Sequence, residues 1–342
     1  MSAIAPIGGF FERHDPDDRA GGISVLEAWT GDRVWAGFVN ARSAFAALVE
    51  SLSGVTVWLP AFVCSDLVDP SFAGRVRFYP VGQGFVPDLA GVEAAMAAGD
   101  LVLVVAYFGE PVAEAVEAFA RRRPDLRIVE DRAQALDPGP AAEDRWVLYS
   151  PRKLLGVADG GLLVAPVGHS VLPQPSATAE SAALWRGADL RHDDPAGRDN
   201  AVWHAANRDK EAAMVVTAQA MTARSLSILS HTSLERLAGP RRANWRVLDR
   251  RLRRWSALPG EAKAPPLGDV IRLEPEARDR VLSGLHAERI FAAVHWPQIA
   301  APAAVFPREH GWTRALITLP CDHRYGAAEM ARVADRVEAL LA

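Results

Sequence analysis

Lysine is scarce in this chain. Of its 342 residues only Lys153, Lys210 and Lys263 are lysines, against thirty-five arginines. A position that needs only a positive charge is therefore usually an arginine here. An arginine guanidinium stays protonated, whereas a lysine amine can form a Schiff base once burial or a neighbouring cation lowers its pKa. Lys153 lies between an apolar segment and a Gly-Gly turn, so it is a candidate reactive group, although a solvated surface lysine is the simpler interpretation.

The chain also has only two cysteines, a small net charge and few extended apolar segments. Cys64 and Cys321 are far apart and show no metal-ligand spacing, which fits a reducing compartment and predicts no metal. The net charge is −4 with no polybasic block, which argues against nucleic acid and membrane partners. The apolar run 101–108 is too short to span a membrane, and the N-terminus lacks the features of a signal peptide. We expect a soluble, cytoplasmic protein.

Apolar segments and helical patterns alternate along the first half of the chain. The pattern predicts strands at 55–60, 75–81, 101–108, 127–131, 146–150 and 161–166, and helices at 40–54, 65–74, 88–99 (capped by Asp88) and 112–123. Such alternation predicts an α/β domain with a mostly parallel sheet between helices. Ligands bind such sheets at the carboxyl ends of the strands.

The second half predicts a different organisation. Strands are expected at 270–273 and 314–320, and helices at 276–288 and 327–341. We expect a lead-in at 1–33, a large domain at 34–256 and a small α+β domain at 257–342. The large domain would include a polar loop at 167–200 and a helical region at 201–256.

Three segments carry candidate chemistry. The first, 40-NARSAF-45, opens a predicted helix, whose free N–H groups favour a phosphate, although ordinary capping explains the same residues. The second ends a strand with Asp131, a carboxylate that could keep a heterocyclic nitrogen protonated or could cap a helix. The third holds Ser150 and Lys153 ahead of a Gly-Gly turn. Pyridoxal phosphate (PLP) needs a lysine, an acid and phosphate donors, so these segments together suggest PLP.

The chain resembles the DegT/DnrJ/EryC1/StrS family of PLP-dependent sugar aminotransferases, which have fold type I. The stretches that carry the resemblance are 41-ARSAFAAL-48, 59-LPAFVCSDLVD-69, 106-AYFGEP-111, 129-VEDRAQAL-136, 150-SPRKLLGVADGGLLV-164, 241-RRANWRVL-248 and 319-LPCDHRYGAAEMARV-333. They follow the family's order from about residue 40 to the C-terminus.

The resemblance implies roles for individual residues. Lys153 would be the Schiff-base lysine and Asp131 the partner of the pyridinium nitrogen, with Gln134 near the phenolic oxygen of the ring. The backbone of Arg42 and Ser43 would hold the phosphate.

Two positions depart from the family pattern. Cys64 stands where many members place an aromatic that stacks on the ring, and a cysteine stacks poorly. Leu148 stands where many members carry a phosphate-binding serine, and Ser150 would substitute for it.

The family commonly completes the phosphate site with an asparagine loop from a second subunit. No such motif is evident between 167 and 225, where Asn200, His204 and Asn207 are candidates. The resemblance also implies a homodimer. Candidate substrate contacts are His295, Trp296, His323 and Arg324, although packing explains Trp296 and an ordinary ion pair explains Arg324.

The resemblance implies an aminotransferase that moves an amino group, with glutamate as the expected donor, to a keto sugar linked to a nucleotide. Two alternatives stay open. One is a PLP enzyme acting on another small keto substrate. The other is a fold type I scaffold that has lost catalysis and serves a regulatory or binding role.

Overall fold

The protein is described from a computed structural model that covers residues 5–15, 21–176, 182–258 and 260–342. Its strands are β1 Ile7–Gly8, β2 Trp35–Phe38, β3 Val57–Pro60, β4 Val76–Tyr79, β5 Leu101–Val105, β6 Arg127–Asp131, β7 Trp146–Tyr149, β8 Gly161–Val164, β9 Gly268–Arg272, β10 Ile290–Phe291 and β11 Leu316–Pro320. Its α-helices are α1 Val25–Thr30, α2 Ala41–Ser51, α3 Glu114–Arg122, α4 Ala182–Asp193, α5 Asn200–Ala213, α6 Ala223–His231, α7 Leu234–Leu252, α8 Pro275–Ala287, α9 Pro307–Ala315 and α10 Ala327–Leu341.

The main sheet of the described residues has seven strands in the order β2-β8-β7-β6-β5-β3-β4. Strand β8 runs antiparallel to both its neighbours, and the other pairs are parallel. Every residue of β3, β5, β7 and β8 is buried, as expected for strands covered on both faces. The α/β prediction with a mostly parallel sheet is therefore confirmed.

The last strands form a separate antiparallel pair. β9 pairs with β11 along its whole length, from Gly268 opposite Pro320 to Arg272 opposite Leu316. Helices α8 and α10 bury Val281, Leu285, Met330, Val333 and Val337 beneath this pair, and the end of α7 contributes Leu248 and Leu252. Helix α7 lies before residue 256, where the large domain was predicted to end, yet its end packs on the core of the C-terminal segment. The boundary between the two domains stays a prediction.

Some local predictions were wrong. The segment 88–99 forms turns and one short 3-10 helix, Glu93–Ala95, and Asp88 caps no described helix. Its carbonyl groups are bound from outside, because the guanidinium of Arg123 donates to the oxygens of Glu93 and Met96. These tertiary hydrogen bonds override the helical propensity of an alanine-rich segment.

Other segments also differ from expectation. The predicted loop 167–200 contains α4, because Trp185 and Ala188 pack it into the core. The lead-in 1–33 contains β1 and α1, and α1 buries Val25 and Trp29. The segment 65–74 forms two 3-10 helices, Ser65–Leu67 and Ala73–Arg75, rather than one helix. The helical region 201–256 is three helices, with an irregular break between α5 and α6. None of the described helices is both long and apolar enough to cross a membrane.

Candidate active site

Lys153 lies on a short turn at the carboxyl edge of the main sheet. Strand β7 ends at Tyr149, and Pro151–Lys153 form a 3-10 turn directly after Ser150. The chain then turns back into β8 through Gly160, whose φ of +126° favours glycine. A Cβ on Gly161 would lie 2.1 Å from the carbonyl carbon of Asn40. The second glycine therefore allows the lysine loop to approach the start of α2.

A cavity of about 230 Å³ opens beside this turn. It brings together seven of the residues predicted from the sequence, namely Arg42, Cys64, Asp131, Ser150, Lys153, His295 and Trp296. Its volume lies below the range of about 300–1,000 Å³ that is typical of small-molecule sites.

Asp131 ends β6 and lies in the wall of this cavity. Its Oδ1 accepts the N–H of Ala133 at 2.8 Å, but no helix follows, so the alternative role of a helix N-cap does not apply. Burial raises the pKa of Asp131, while the charge of Lys153 and the N–H of Ala133 act in the opposite direction. A buried carboxylate of this kind is stabilised by a cationic partner.

The start of α2 forms another wall. Asn40 caps the helix, because its Oδ1 accepts the N–H of Ser43 at 2.8 Å. The hydroxyl of Ser43 accepts the N–H of Thr217 at 3.0 Å, and Ser43 does not line the cavity. Ala41 and Arg42 do line it, and the Arg42 guanidinium contacts Asp66 at 3.1 Å. Of the two residues predicted to hold a phosphate through their backbone, only Arg42 borders the cavity.

The two departures from the family pattern, Cys64 and Leu148, both lie in the cavity wall, where Ser150 joins them. Burial raises the pKa of the Cys64 thiol, although the charge of Lys153 lowers it. The net shift favours the neutral thiol, which offers a polarisable surface rather than a nucleophile. Ser150 lines the same cavity as Arg42.

Gln134 is buried but does not line the cavity. Its Oε1 accepts the N–H of Phe108 at 2.8 Å, and its buried Nε2 has no hydrogen-bond partner among the described residues. An unsatisfied buried donor is uncommon and calls for a partner. The predicted role near the ring therefore stays a prediction, supported by a free N–H group.

His295 borders the cavity beside Lys153. Its Nδ1 lies 3.0 Å from Oγ1 of Thr318. Burial, and then the charge of Lys153, lower the pKa of His295 to about 3, so the imidazole is neutral at pH 7. Trp296 packs edge-on against Phe62 at 5.2 Å, as its packing interpretation predicts.

His323 and Arg324 do not reach the cavity. The ring of His323 stacks on Phe11 at 5.6 Å. Arg324 binds Asp322 at 2.7 Å and Glu12 at 2.8 Å. Burial acts to lower the pKa of its guanidinium, but these carboxylates outweigh it and raise the pKa. Both residues hold the N-terminal segment against the C-terminal core, so the structure does not bring them together with the other candidate substrate contacts.

Sequence reasoning missed Arg152 and Glu211, which also line the cavity. The two side chains form an ion pair, and Lys210 contacts the same carboxylate at 3.2 Å. Arg152 could have been found in the sequence because it directly precedes Lys153. Glu211 lies on α5, far away in the sequence, and no local pattern predicts its position in the cavity.

A second cavity, of about 660 Å³, shares Arg152, Lys153, Glu211 and His295 with the first. Asn207 also lines it, whereas His204 packs among aromatic rings such as Phe291. Neither cavity wall includes Asn200. Lys153 lines both cavities, so the two cavities adjoin at this residue.

No family model and no curated protein matches this chain. Solved structures do. A DegT DnrJ EryC1 StrS aminotransferase from Brucella abortus is 17% identical, with a TM-score of 0.63 over 92% of this chain and 87% of that chain. PseC of Helicobacter pylori, an aminotransferase of pseudoaminic acid biosynthesis, is 14% identical, with a TM-score of 0.66 over 98% of this chain and 99% of that chain.

A candidate sugar aminotransferase from Streptococcus pneumoniae, Spr1654 in its PLP form, is 15% identical, with a TM-score of 0.66 over 98% of each chain. This chain has the fold of these aminotransferases. The fold type I prediction is therefore confirmed.

The residues at the cavity fit PLP. The cavity is lined by a buried acid, a lysine, an arginine, a serine and the first residues of a helix. Gln134, three residues after Asp131 in the sequence, offers a further donor, because its buried Nε2 has no partner among the described residues. This is the donor set that the cofactor requires.

Proposed function

We propose that this protein is a PLP-dependent aminotransferase of the DegT/DnrJ/EryC1/StrS family. The observation that carries the proposal is that Lys153 and Asp131 lie in the wall of one cavity at the carboxyl edge of the sheet. When bound, the cofactor supplies an electron sink for the carbon that loses a proton. The solved structures of aminotransferases with this fold support the proposal.

In this proposal each residue either holds part of the cofactor or moves a proton of the substrate. The Lys153 Nζ binds the cofactor and, once released, takes and returns the substrate proton. The Asp131 carboxylate keeps the ring nitrogen protonated. The N-terminus of α2 with Arg42, and the hydroxyl of Ser150, hold the phosphate in place of the serine that Leu148 replaces.

We propose a keto sugar as the acceptor and glutamate as the amino donor. The cavity of about 660 Å³ that shares Lys153 is the substrate site in this proposal. The nucleotide linkage rests on the sequence resemblance alone. The engagement of Arg324 by Asp322 and Glu12 favours the second candidate, a PLP enzyme acting on a small keto compound, because this arginine then has no free donor for a diphosphate.

We further propose that the protein is a cytoplasmic homodimer. Helices α4 and α5 border an apolar groove of about 1,050 Å³, where Val202 is 50% exposed and Val215 is 60% exposed. A second subunit would remove this apolar surface from water. Sedimentation of the cofactor-loaded protein tests the proposal, since a monomer at micromolar concentration would contradict it.

The deciding experiment is the visible absorbance spectrum of the purified protein, before and after glutamate is added. We expect a yellow protein whose visible band is bleached by glutamate and is absent from Lys153→Ala. Lys263→Ala removes an exposed lysine of the same chain and is the matched control. A wild-type protein that stays colourless with added PLP would refute the proposal of a PLP-dependent enzyme. The remaining hypothesis would then be the scaffold that has lost catalysis. A yellow protein that ignores keto sugars but aminates small keto acids would select the second candidate.

A further inference from the structure

Arg241 opens the stretch 241-RRANWRVL-248, to which the proposed function assigns no role. It lies on α7 and its side chain is only 1% exposed. Its guanidinium donates to two backbone oxygens, that of Leu154 at 2.5 Å and that of Leu267 at 3.5 Å. Arg241 therefore contacts the residue that directly follows Lys153.

The positive charge of Arg241 has no counter-ion of its own in the described part of the chain. Asp322 is close enough to raise the pKa of Arg241, against the lowering effect of burial, but its carboxylate is bound to Arg324 at 2.7 and 2.9 Å. The Nε of Arg241 is buried and has no hydrogen-bond partner among the described residues. A buried charge with an unused donor is costly unless an anion completes it.

The surroundings of Arg241 show where such an anion could bind. Arg241 lines the cavity of about 660 Å³ together with Lys153 and Arg152. Phe11 lines the same cavity and lies over the guanidinium, with 5.9 Å from its ring centre to Cζ. The open donor thus belongs to a residue in the wall that also carries the reactive lysine.

We propose that Arg241 binds the carboxylate attached to the reacting carbon of the amino donor. The inference rests on the proposed function, since it deepens the substrate site of that enzyme. In an amino acid this carboxylate is bonded to the carbon that bears the amine, so it must lie beside Lys153 when the amine reacts. A diphosphate linked to a sugar lies a whole ring farther away. A guanidinium also matches a carboxylate in planar, paired hydrogen bonds.

Binding of glutarate, which has the carbon skeleton of glutamate without the amine, tests the inference by calorimetry on the cofactor-loaded protein. We expect Arg241→Met to weaken binding about 30-fold or more, because it removes one partner of a buried charge pair. Arg241→Lys should retain part of the affinity. The matched control is Arg242→Met, which removes the next arginine, a half-exposed side chain paired with Asp137 at 3.5 Å. The control should bind glutarate as the wild type does.

Equal glutarate affinity in Arg241→Met and the wild type would overturn the inference. Binding of pyrophosphate, but not of glutarate, that depends on Arg241 would also overturn it and assign the residue to a diphosphate. If Arg241→Met does not fold, the wild type is titrated with glutarate and with uncharged glutaramide, and equal affinity for both overturns the inference.

Failure of the proposed function gives a different result. A wild-type spectrum that glutamate does not bleach refutes the amino-donor reaction, whatever the variants bind. A bleached wild type with unchanged glutarate binding in Arg241→Met leaves the aminotransferase intact and removes only the role of Arg241.

Discussion

Asp131 and Lys153 approach one cavity from adjacent strands of the sheet. Asp131 is the last residue of β6, and Lys153 follows the end of β7, the next strand in the sheet. The charge of the lysine opposes the rise that burial causes in the pKa of Asp131. A cation bound in this cavity beside Asp131 would stabilise its ionised carboxylate. A protonated ring nitrogen is such a cation.

We expect Asp131→Asn to keep the yellow colour and to lose about 10²–10⁴-fold in the rate of bleaching by glutamate, because an amide cannot keep the ring nitrogen protonated. Stopped-flow absorbance measures this rate. Asp137→Asn alters a carboxylate of the same segment outside the cavity wall and should leave the rate unchanged. A wild-type rate in Asp131→Asn would remove this residue from the proposed site.

We expect Gly161→Ala to weaken cofactor binding and to destabilise the fold. The new Cβ would lie 2.1 Å from the carbonyl carbon of Asn40 and 2.2 Å from the nitrogen of Ala41, so the start of α2 must move. The loss of stability should be about 1–3 kcal/mol, as for other overpacked sites. Urea unfolding and spectral titration with PLP measure the two effects.

Gly74→Ala is the control for this prediction, because nothing lies within 4 Å of a Cβ at that position. Unchanged PLP affinity in Gly161→Ala would mean that the start of α2 takes no part in cofactor binding.

We expect the stability of the protein to fall between about pH 4 and pH 7 because of Asp269. Burial, and then the charge of Asp249, raise the pKa of Asp269 to about 7, while Arg253 and Trp245 act in the opposite direction. A raised pKa means that the folded state holds the proton more tightly than the unfolded state. The resulting stability is present below the unfolded pKa and is lost as the pH rises through 7.

Asp269→Asn should therefore be more stable than the wild type at pH 8, by about 2–4 kcal/mol, and should lose most of that advantage at pH 4. Urea unfolding across this range measures the difference. Asp279→Asn, at a side chain that is 70% exposed, should keep the pH profile of the wild type. A profile unchanged by Asp269→Asn would contradict the prediction.

We expect Asp159→Ala to destabilise the protein by about 3 kcal/mol, because it leaves buried donors without an acceptor. The Asp159 carboxylate accepts the N–H and the hydroxyl of Thr222, each at 2.7 Å, and the hydroxyl of Ser225. These bonds join the lysine loop to the start of α6. Thermal unfolding measures the effect. Asp32→Ala, at an exposed position, is the control and should change the free energy of unfolding by less than about 0.5 kcal/mol.

Part of the site could be predicted from the sequence because its signals are local. Strand β6 and helix α10 have the predicted bounds, since strand patterns and helical spacing depend on residues near one another in the chain. Asp131 and Lys153 were identified because one ends a predicted strand and the other lies just beyond the next, and parallel strands bring their carboxyl ends to one edge.

Only the tertiary structure decided the remainder. Glu211 enters the cavity from α5, and Arg241 reaches the backbone beside Lys153 from α7. Neither contact has a local signal, because ion pairs and hydrogen bonds across long sequence separations depend on how the helices pack. The same reason explains Arg324, a candidate substrate contact in the sequence, for which the fold selects the alternative of an ion pair, with Glu12 and Asp322. The sequence by itself determined which residues could do chemistry, whereas packing decided which of their charges are still open to a ligand.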